Sequence, residues 1–262
     1  MPKNMQPIEE TILAAMDCKD KGILPYLPYI LQDFWTIGSE PEVMIDLIKK
    51  HTSGSPSLQV LDLGCGKGAV SVIIAHTLGC TCHGIDAIPE FISFAQQKAE
   101  EYNVRSLCRF EQGDIREKIK SLPKYNVIIM GAIGQVLGNY YETLISIKPL
   151  LNDGGIIIID DGYVDDGSDF VHPQVLKRSE MLRQIEETGM MLADEVLPGE
   201  TTAEGYGTEY AWLSKRCDEL SSKHPDKAGI FENYKKQQQM EYENLKSEII
   251  CSTMVVKRKN DN

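Results

Sequence analysis

The chain has 262 residues, which at about 150 residues per domain allows one large domain or one domain with a substantial appendage. Its 42% hydrophobic and 25% charged residues are those of a globular protein with a real core, and exclude a collagen-like, fibrous or disordered chain. Thirty-nine acidic against 27 basic residues leave a net charge of -12, a field that repels closely spaced phosphates and argues against a nucleic-acid partner.

Near the start, the short apolar stretch Ile12 to Met16 is flanked by Glu9, Glu10 and Asp17, which is unlike the basic start and long apolar centre of a signal peptide. Residues 8 to 50 read as helices, and Tyr26, Tyr29, Phe34 and Trp35 gather aromatics that either pack an N-terminal helix or close over a bound ligand. Ser39, with Glu42 three residues on, makes a capping box. We assign residues 1–57 to an N-terminal helical cover.

From Leu58 the chain alternates strand-like and helix-like segments, which predicts an α/β fold with a largely parallel sheet. Leu58 to Leu63 reads as a buried strand, and Ala69 to Leu78 as an apolar helix closed by Gly79. Residues 80 to 86 form a second strand; Pro89 then opens a helix whose Phe91, Phe94, Ala95, Ala99 and Tyr102 share one face, ending near Asn103. Leu107 to Gln112, Tyr125 to Met130 and Gly155 to Asp160 follow as strands, the last apolar almost throughout, as buried parallel strands are. Its core, Ile156 to Ile159, is the longest aliphatic run in the chain and far below the ~20 apolar residues of a membrane span, so no membrane partner is expected and a cytoplasmic location is.

Beyond residue 172 a helix runs to Gly189, a strand covers Met190 to Leu197, and Ile249 to Val256 forms the last strand. Between them, about 198–248, lie two charged, Gln-rich helices broken at His224 and Pro225, inserted in a hairpin. The insert reads as a solvated excursion, a substrate lid or a dimer arm, and a homodimer would form through it. Residues 58–262 thus make the second domain. Seven scattered cysteines read as reduced, mostly buried thiols. Cys80 and Cys82 lack a second pair for zinc, and Cys18 and Cys217 lack an adjacent thiol for a soft acceptor, so no metal is expected.

The string Val60 to Gly68 carries the most chemistry. A buried strand ends in Asp62, and glycines at 64, 66 and 68 precede a helix. They permit a sharp turn, let a ligand approach the backbone, and expose helix N-terminal N–H groups, so a nucleotide-like ligand should lie across this loop. The next strand ends at Asp86, which can accept both hydroxyls of a ribose, with Ala87 beside it. The third ends in Gly113-Asp114-Ile115, where Asp114 can accept a base's exocyclic amine and Ile115 can pack on its ring.

Through Asp62, Gly64, Gly66, Gly68, Asp86 and Gly113-Asp114-Ile115 the chain resembles the class I S-adenosylmethionine-dependent methyltransferases of small-molecule type, closely over residues 58 to 160. The resemblance implies a Rossmann-like, doubly wound, seven-stranded sheet, mostly parallel with an antiparallel last strand, and S-adenosylmethionine as cofactor. It places the methionine end over Asp62, Gly64, Cys65 and Gly66, the ribose on Asp86, the adenine at Asp114 and Ile115, and the methyl group beside Gly131. Trp35 joins the cofactor-contacting residues as part of an aromatic lid that keeps the site dry. One alternative is an NAD(P)-dependent oxidoreductase, since Gly64, Gly66 and Ala69 also fit G-x-G-x-x-A; Asp62 opposes it, because its charge would repel a pyrophosphate. Another is a non-catalytic cofactor-binding protein.

The fourth strand continues Met130-Gly-Ala-Ile-Gly134, without the Asn/Asp-Pro-Pro-aromatic motif that holds a flipped base, which favours a small-molecule acceptor. Aspartates 160, 161, 165, 166 and 169 crowd the exit of the fifth strand and read as a solvated loop, a cation-attracting mouth or a divalent-metal site. Asp160 and Asp161 partly resemble the metal-dependent catechol-type enzymes, whose acid after the fourth strand is missing here. Tyr163, His172, Glu200 and Tyr206 flank the expected acceptor mouth and are the candidate bases.

Overall fold

The structure, a computed structural model, describes residues 6–52, 57–197 and 200–259, the side chains of 200–204 excepted. In chain order, α1 (Ile8–Ala15) and α2 (Leu27–Ile30) precede α3 (Pro41–His51) and the first strand, β1 (Gln59–Leu63). Then α4 (Ala69–Leu78), β2 (Thr81–Asp86), α5 (Pro89–Glu101), β3 (Cys108–Gln112) and the one-turn α6 (Ile115–Lys118) alternate. After β4 (Tyr125–Gly131) come α7 (Tyr140–Ile147), β5 (Leu151–Tyr163), α8 (Arg178–Glu187) and β6 (Met190–Val196). Two long helices, α9 (Glu200–Lys223) and α10 (Ala228–Ser247), lead to β7 (Ile250–Arg258).

The seven strands make one sheet in the order β3-β2-β1-β4-β5-β7-β6. Strands β1 to β5 pair parallel with one another, and β6 pairs antiparallel with β7. At its start β7 puts Thr253 against Asp160, and at its end Arg258 donates to the carbonyl of Leu151, so it also runs opposite to β5. This is the Rossmann-like sheet with an antiparallel end that the sequence predicts. Strand order reverses between β1 and β4, and the carboxyl ends on either side of that switch are where open α/β sheets bind ligands.

The central strands are buried on both faces, which is why they read as continuous apolar runs. Val60, Val127, Ile129, Ile156 and Ile158 belong to a core shared with Met44 and Ile48 of α3 and Val72 and Ala75 of α4. Their neighbours Leu61, Ile128 and Ile157 are fully buried too. Gly68 caps α4 at φ +75°, where a Cβ would stand 2.6 Å from Ala95 Cβ and 2.9 Å from Phe110 Cζ, so only glycine permits this approach of helix to sheet.

The chain divides into two compact units, residues 1–34 with 198–250, and residues 35–197 with 251–262. The expected boundary at residue 57 therefore lies elsewhere in space: α3 joins the sheet unit, because its apolar face, Met44, Leu47 and Ile48, packs into the sheet's core. In the helical unit the N-terminal segment and the insert share one core. Tyr26 meets Phe231 edge-on at 5.0 Å, Phe34 meets Trp212 at 5.7 Å, and Arg216 holds Asp33 through two hydrogen bonds of 2.6 and 2.8 Å. Cys18 and Cys217 are buried within this unit. Among the described residues no helix is long and apolar enough to cross a membrane.

Three local expectations change. Ser39 and Glu42 do not form a capping box: Pro41, whose fixed φ suits the first helical position, starts α3 with Glu40 as the flanking residue and no side-chain cap. β5 is longer than 155–160, starting at Leu151 opposite Tyr125 and running on to Tyr163. α8 starts at Arg178, because Val164 binds the backbone of Leu176 and Arg178 (2.8 and 3.0 Å) and holds the preceding stretch as a loop.

Candidate active site

At the end of β1 the Asp62 carboxyl is 2% exposed and accepts a 2.7 Å hydrogen bond from Ser71 of α4. Burial raises its pKa to about 6 against the Ser71 hydrogen bond, with Asp86 adding to the rise. The turn that follows is held from below, Gly64 and Cys65 donating their N–H groups to the carbonyl of Ile85 at 2.8 and 3.0 Å. Gly64 and Gly66 have φ of +73° and +51°. A Cβ on Gly64 would collide with Ile133, whereas one on Gly66 would meet only Ile37 Cδ1, at 3.8 Å. Gly66 is thus the open face of the turn.

Asp86 ties the second strand to that turn. Its Oδ2 accepts from Gly66 N and its Oδ1 from Ile88 N, both at 2.9 Å, and the backbone of Ala87 bonds it too, so the carboxylate is fixed with acceptor capacity left for a further donor. Burial raises its pKa, and those backbone N–H groups oppose the rise. Ala87 lies beside it and accepts from Gln112 Nε2. Asp114 caps α6 and is occupied: Arg116 N and Nε reach Oδ1 at 2.9 Å, and Nε and Nη2 reach Oδ2 at 3.1 and 2.6 Å. Burial pushes this carboxyl up, but the Arg116 bonds leave its pKa below the ordinary value. Ile115 is buried next to it. The Arg116 fork takes one edge of the carboxylate, so a base amine would share Asp114 with it.

Trp35 packs on Tyr102 at 5.0 Å with Lys98 Nζ 5.2 Å above its ring, so it stands with the end of α5 in the sheet unit; Tyr26, Tyr29 and Phe34 belong to the helical unit. On the far side of the switch, Gly131 ends β4. A Cβ there would lie 2.6 Å from the hydroxyl of Ser39, which is the role Ser39 takes in place of a helix cap. Beside it, Asp160 ends the apolar part of β5 and accepts from Thr253 Oγ1 at 3.3 Å. Burial lifts its pKa to about 7; the Ser39 and Thr253 hydroxyls hold it down, and Asp161 and Glu40 push it further up. Asp161 accepts from Tyr140 OH at 2.9 Å and from Gly162 N at 2.8 Å, and burial raises it as well. Asp160, Asp161 and Tyr140 line a cavity with Met130, Ile133 and Ile159.

Aspartates 160, 161, 165 and 166 therefore do not act together. Asp160 and Asp161 turn inward, Asp165 accepts from Gly167 N, and Asp166 from Ser179 N and Oγ, as loop carboxylates do. Among the described residues no three metal-ligating side chains converge. The candidate bases are dispersed too. Tyr163 is buried under the Arg178 guanidinium at 5.5 Å, and His172 uses Nδ1 to accept from Gln174 N and Val175 N within its own loop. Tyr206 packs on Tyr242 in the helical unit, and the Glu200 side chain lies outside the described residues. Sequence reasoning missed Tyr140 and Ser39. Tyr140 had a signal, since it follows Asn139, which forms a true capping box with Glu142; Ser39 had none, because its partners lie about 90 residues or more away.

A family model described as "Methyltransferase domain" matches residues 55–244. Among curated proteins the chain is 28% identical over 103 residues to a probable cobalt-precorrin-6B C(15)-methyltransferase (decarboxylating) of Pyrobaculum aerophilum, covering 38% of this chain and 51% of that one. It is 29% identical over 118 residues to a ubiquinone biosynthesis O-methyltransferase of Rickettsia canadensis, covering 45% and 48%. The chain thus spans about half the length of the curated relatives it matches. Among solved structures, a SAM-dependent methyltransferase from Geobacter sulfurreducens in complex with S-adenosyl-L-homocysteine superposes with a TM-score of 0.73 at 20% identity, covering 90% of this chain and 98% of that one, which is a likeness of fold.

Proposed function

The chain belongs to the family of methyltransferase domains, and from that premise we propose that it is an S-adenosylmethionine-dependent methyltransferase acting on a small-molecule acceptor. The observation that carries this reading is the coupling of Asp86 to Gly66: one carboxylate braces the open glycine turn at 2.9 Å and keeps lone pairs for a sugar hydroxyl. The residues fit the cofactor. Asp62 is a buried carboxylate with one hydroxyl partner, and a neighbouring ammonium would offset its burial. The same charge, close enough to Asp86 for the two to repel, is hostile to a pyrophosphate, which weighs against a nicotinamide dinucleotide.

When bound, S-adenosylmethionine supplies a methyl group already activated by a positively charged sulfur. The chain's own residues bind and align. Asp86 fixes the turn and takes a hydroxyl, Ile115 offers an apolar surface, and Gly131 leaves its Cβ space to Ser39. Alignment of this kind can supply ~7–11 kcal/mol of the barrier. The net charge of -12 and the sequence Met130-Gly-Ala-Ile-Gly134 support a small acceptor over a nucleic acid. Calorimetric titration tests the reading: S-adenosylmethionine and S-adenosylhomocysteine should bind and NAD should not, and tighter NAD binding would overturn it. Turnover to S-adenosylhomocysteine over a metabolite panel then separates an enzyme from a non-catalytic binder.

A further inference from the structure

Between its glycines the turn after β1 carries two side chains, Cys65 and Lys67, and they go to different places. Cys65 joins the core of the sheet, its Sγ 2.9 Å from where a Cβ on Gly84 would stand. Lys67 goes to α5, its Nζ 4.9 Å from the centre of the Phe94 ring and 5.9 Å from that of Phe91. Lys67 is 4% exposed and Phe91 1%, so this ammonium is withdrawn from water, next to the N-terminus of α4, whose dipole repels a cation. A buried lysine needs compensating attraction, and two aromatic faces supply one that strengthens as water is excluded. Lys98 Nζ also lies 5.5 Å from the Phe94 ring, but it comes from α5 itself and is paired with Glu101 at 2.7 Å, so it does not tie the turn to the helix.

The contact closes a mechanical loop. Gly66, the residue before Lys67, donates to Asp86 Oδ2 at 2.9 Å. Asp86 ends β2, and α5 opens three residues later at Pro89, so Phe91 and Phe94 stand on the first turns of the helix that Asp86 leads into. We infer that Lys67 is a positioning residue for the cofactor site: its ammonium, held on Phe94 and Phe91, keeps Gly66 at bonding distance from Asp86, so that the turn and the carboxylate meet a ligand as one surface. This rests on the methyl-transfer reading for the identity of the ligand; the coupling of Lys67 to Gly66 is a property of the turn itself. Without the ammonium the turn loses this hold on α5, whereas Asp86 keeps Ile88 N at 2.9 Å and the Ala87 backbone. The damage should fall on the part of a ligand that lies on the turn and spare the part bound by Asp86.

The test uses the full chain and two ligands, S-adenosylhomocysteine and 5′-methylthioadenosine, which has the nucleoside and the sulfur but no amino-acid end. Lys67→Met keeps the apolar stem and removes the charge; Lys67→Arg keeps a cation that stacks on aromatic faces. In Lys67→Met the affinity for S-adenosylhomocysteine should fall at least about fivefold relative to that for methylthioadenosine, as expected for the loss of a largely desolvated cation–π contact. Lys67→Arg should restore the ratio to within about twofold. Phe94→Leu removes the contact from the other side, at a half-buried position, and should lower the same ratio; combined with Lys67→Met it should lower it little further. The Gly66 amide proton reports the coupling without any ligand. Its bond to a carboxylate holds it downfield in the NMR spectrum, and in Lys67→Met and Phe94→Leu it should move upfield and exchange faster. An unchanged ratio, an equal loss for both ligands, an unmoved Gly66 amide, or an arginine variant that behaves like methionine overturns the inference. If the wild type binds S-adenosylhomocysteine and the ratio stays, the role of Lys67 fails and methyl transfer stands. If the wild type binds neither ligand, methyl transfer fails and the Gly66 amide alone decides the role of Lys67.

Discussion

The exits of β1 to β3 and the exits of β4 and β5 are built by different means. In the first region each carboxylate has a partner close in sequence or on the next strand: Asp62 with Ser71, Asp86 with Gly66 and Ile88, Asp114 with Arg116. In the second, Asp160 meets Ser39 and Thr253, and Asp161 meets Tyr140, groups brought from distant parts of the chain. The first region is a cradle held by local bonds, with Asp62 the least compensated of its carboxyls. The second holds two buried carboxyls whose pKa values burial raises.

The sharpest break in this comparison comes from the glycine turn. Gly68→Ala puts a Cβ 2.6 Å from Ala95 Cβ at φ +75°, so strain and overpacking should together cost about 2–5 kcal/mol, read as a lower denaturant midpoint. Gly66→Ala meets only Ile37 at 3.8 Å and should cost about 1–2 kcal/mol, yet abolish S-adenosylhomocysteine binding. If both variants lose stability equally, Gly66 is not the open face of the turn.

The same division explains what was legible in the sequence. The cradle could be read because its determinants are local: glycines at a strand-to-helix turn, an acid at each strand end, apolar runs between them. Seven strands and the antiparallel end followed from the family resemblance and a late hairpin. Asp114 was found as a residue but not in its state, since Arg116 two positions on looked like an ordinary helix charge. The second region was opaque. Five aspartates in one stretch gave no sign of which two turn inward, and Ser39 looked like a cap until Pro41 moved the start of α3. That the N-terminal segment shares a core with the insert depends on pairs such as Asp33 and Arg216, separated by most of the chain.

The second region should declare itself by pH. An aspartate whose folded pKa is raised binds its proton more tightly in the folded state, so its contribution is full below pH ~4 and is lost as pH rises through the folded pKa. For Asp160 the window runs from about 4 to about 7, and Asp62, at about 6, and Asp17, at about 7, share part of it. The protein should lose stability across that window, and Asp160→Asn should remove on the order of 2–4 kcal/mol of that loss. Urea melts at pH 4, 5.5 and 7 measure it; an unchanged slope in the variant would place the titration elsewhere.

Within the cradle, effects should be smaller. Asp86→Asn keeps the shape, but its amide nitrogen cannot accept, so one of the N–H groups of Gly66 and Ile88 loses its partner, at about 1–3 kcal/mol. The affinity for S-adenosylhomocysteine should fall at least about tenfold, as expected for a lost charge-assisted hydrogen bond. An affinity within twofold of the wild type would remove Asp86 from the cofactor site.

Arg116→Ala sharpens the comparison most finely, because it makes one cradle residue resemble the second region. The pair is partly exposed, so its loss should cost about 1 kcal/mol or less. Asp114 would keep the backbone bond from Arg116 N, which any residue at that position supplies, and regain the lone pairs that the guanidinium now fills. If Asp114 accepts a base's amine, the variant should bind S-adenosylhomocysteine a few-fold more tightly, since the carboxylate is no longer shared with the guanidinium. If affinity falls, the guanidinium itself contacts the cofactor, and the adenine edge is read by Arg116 rather than by the carboxylate it holds.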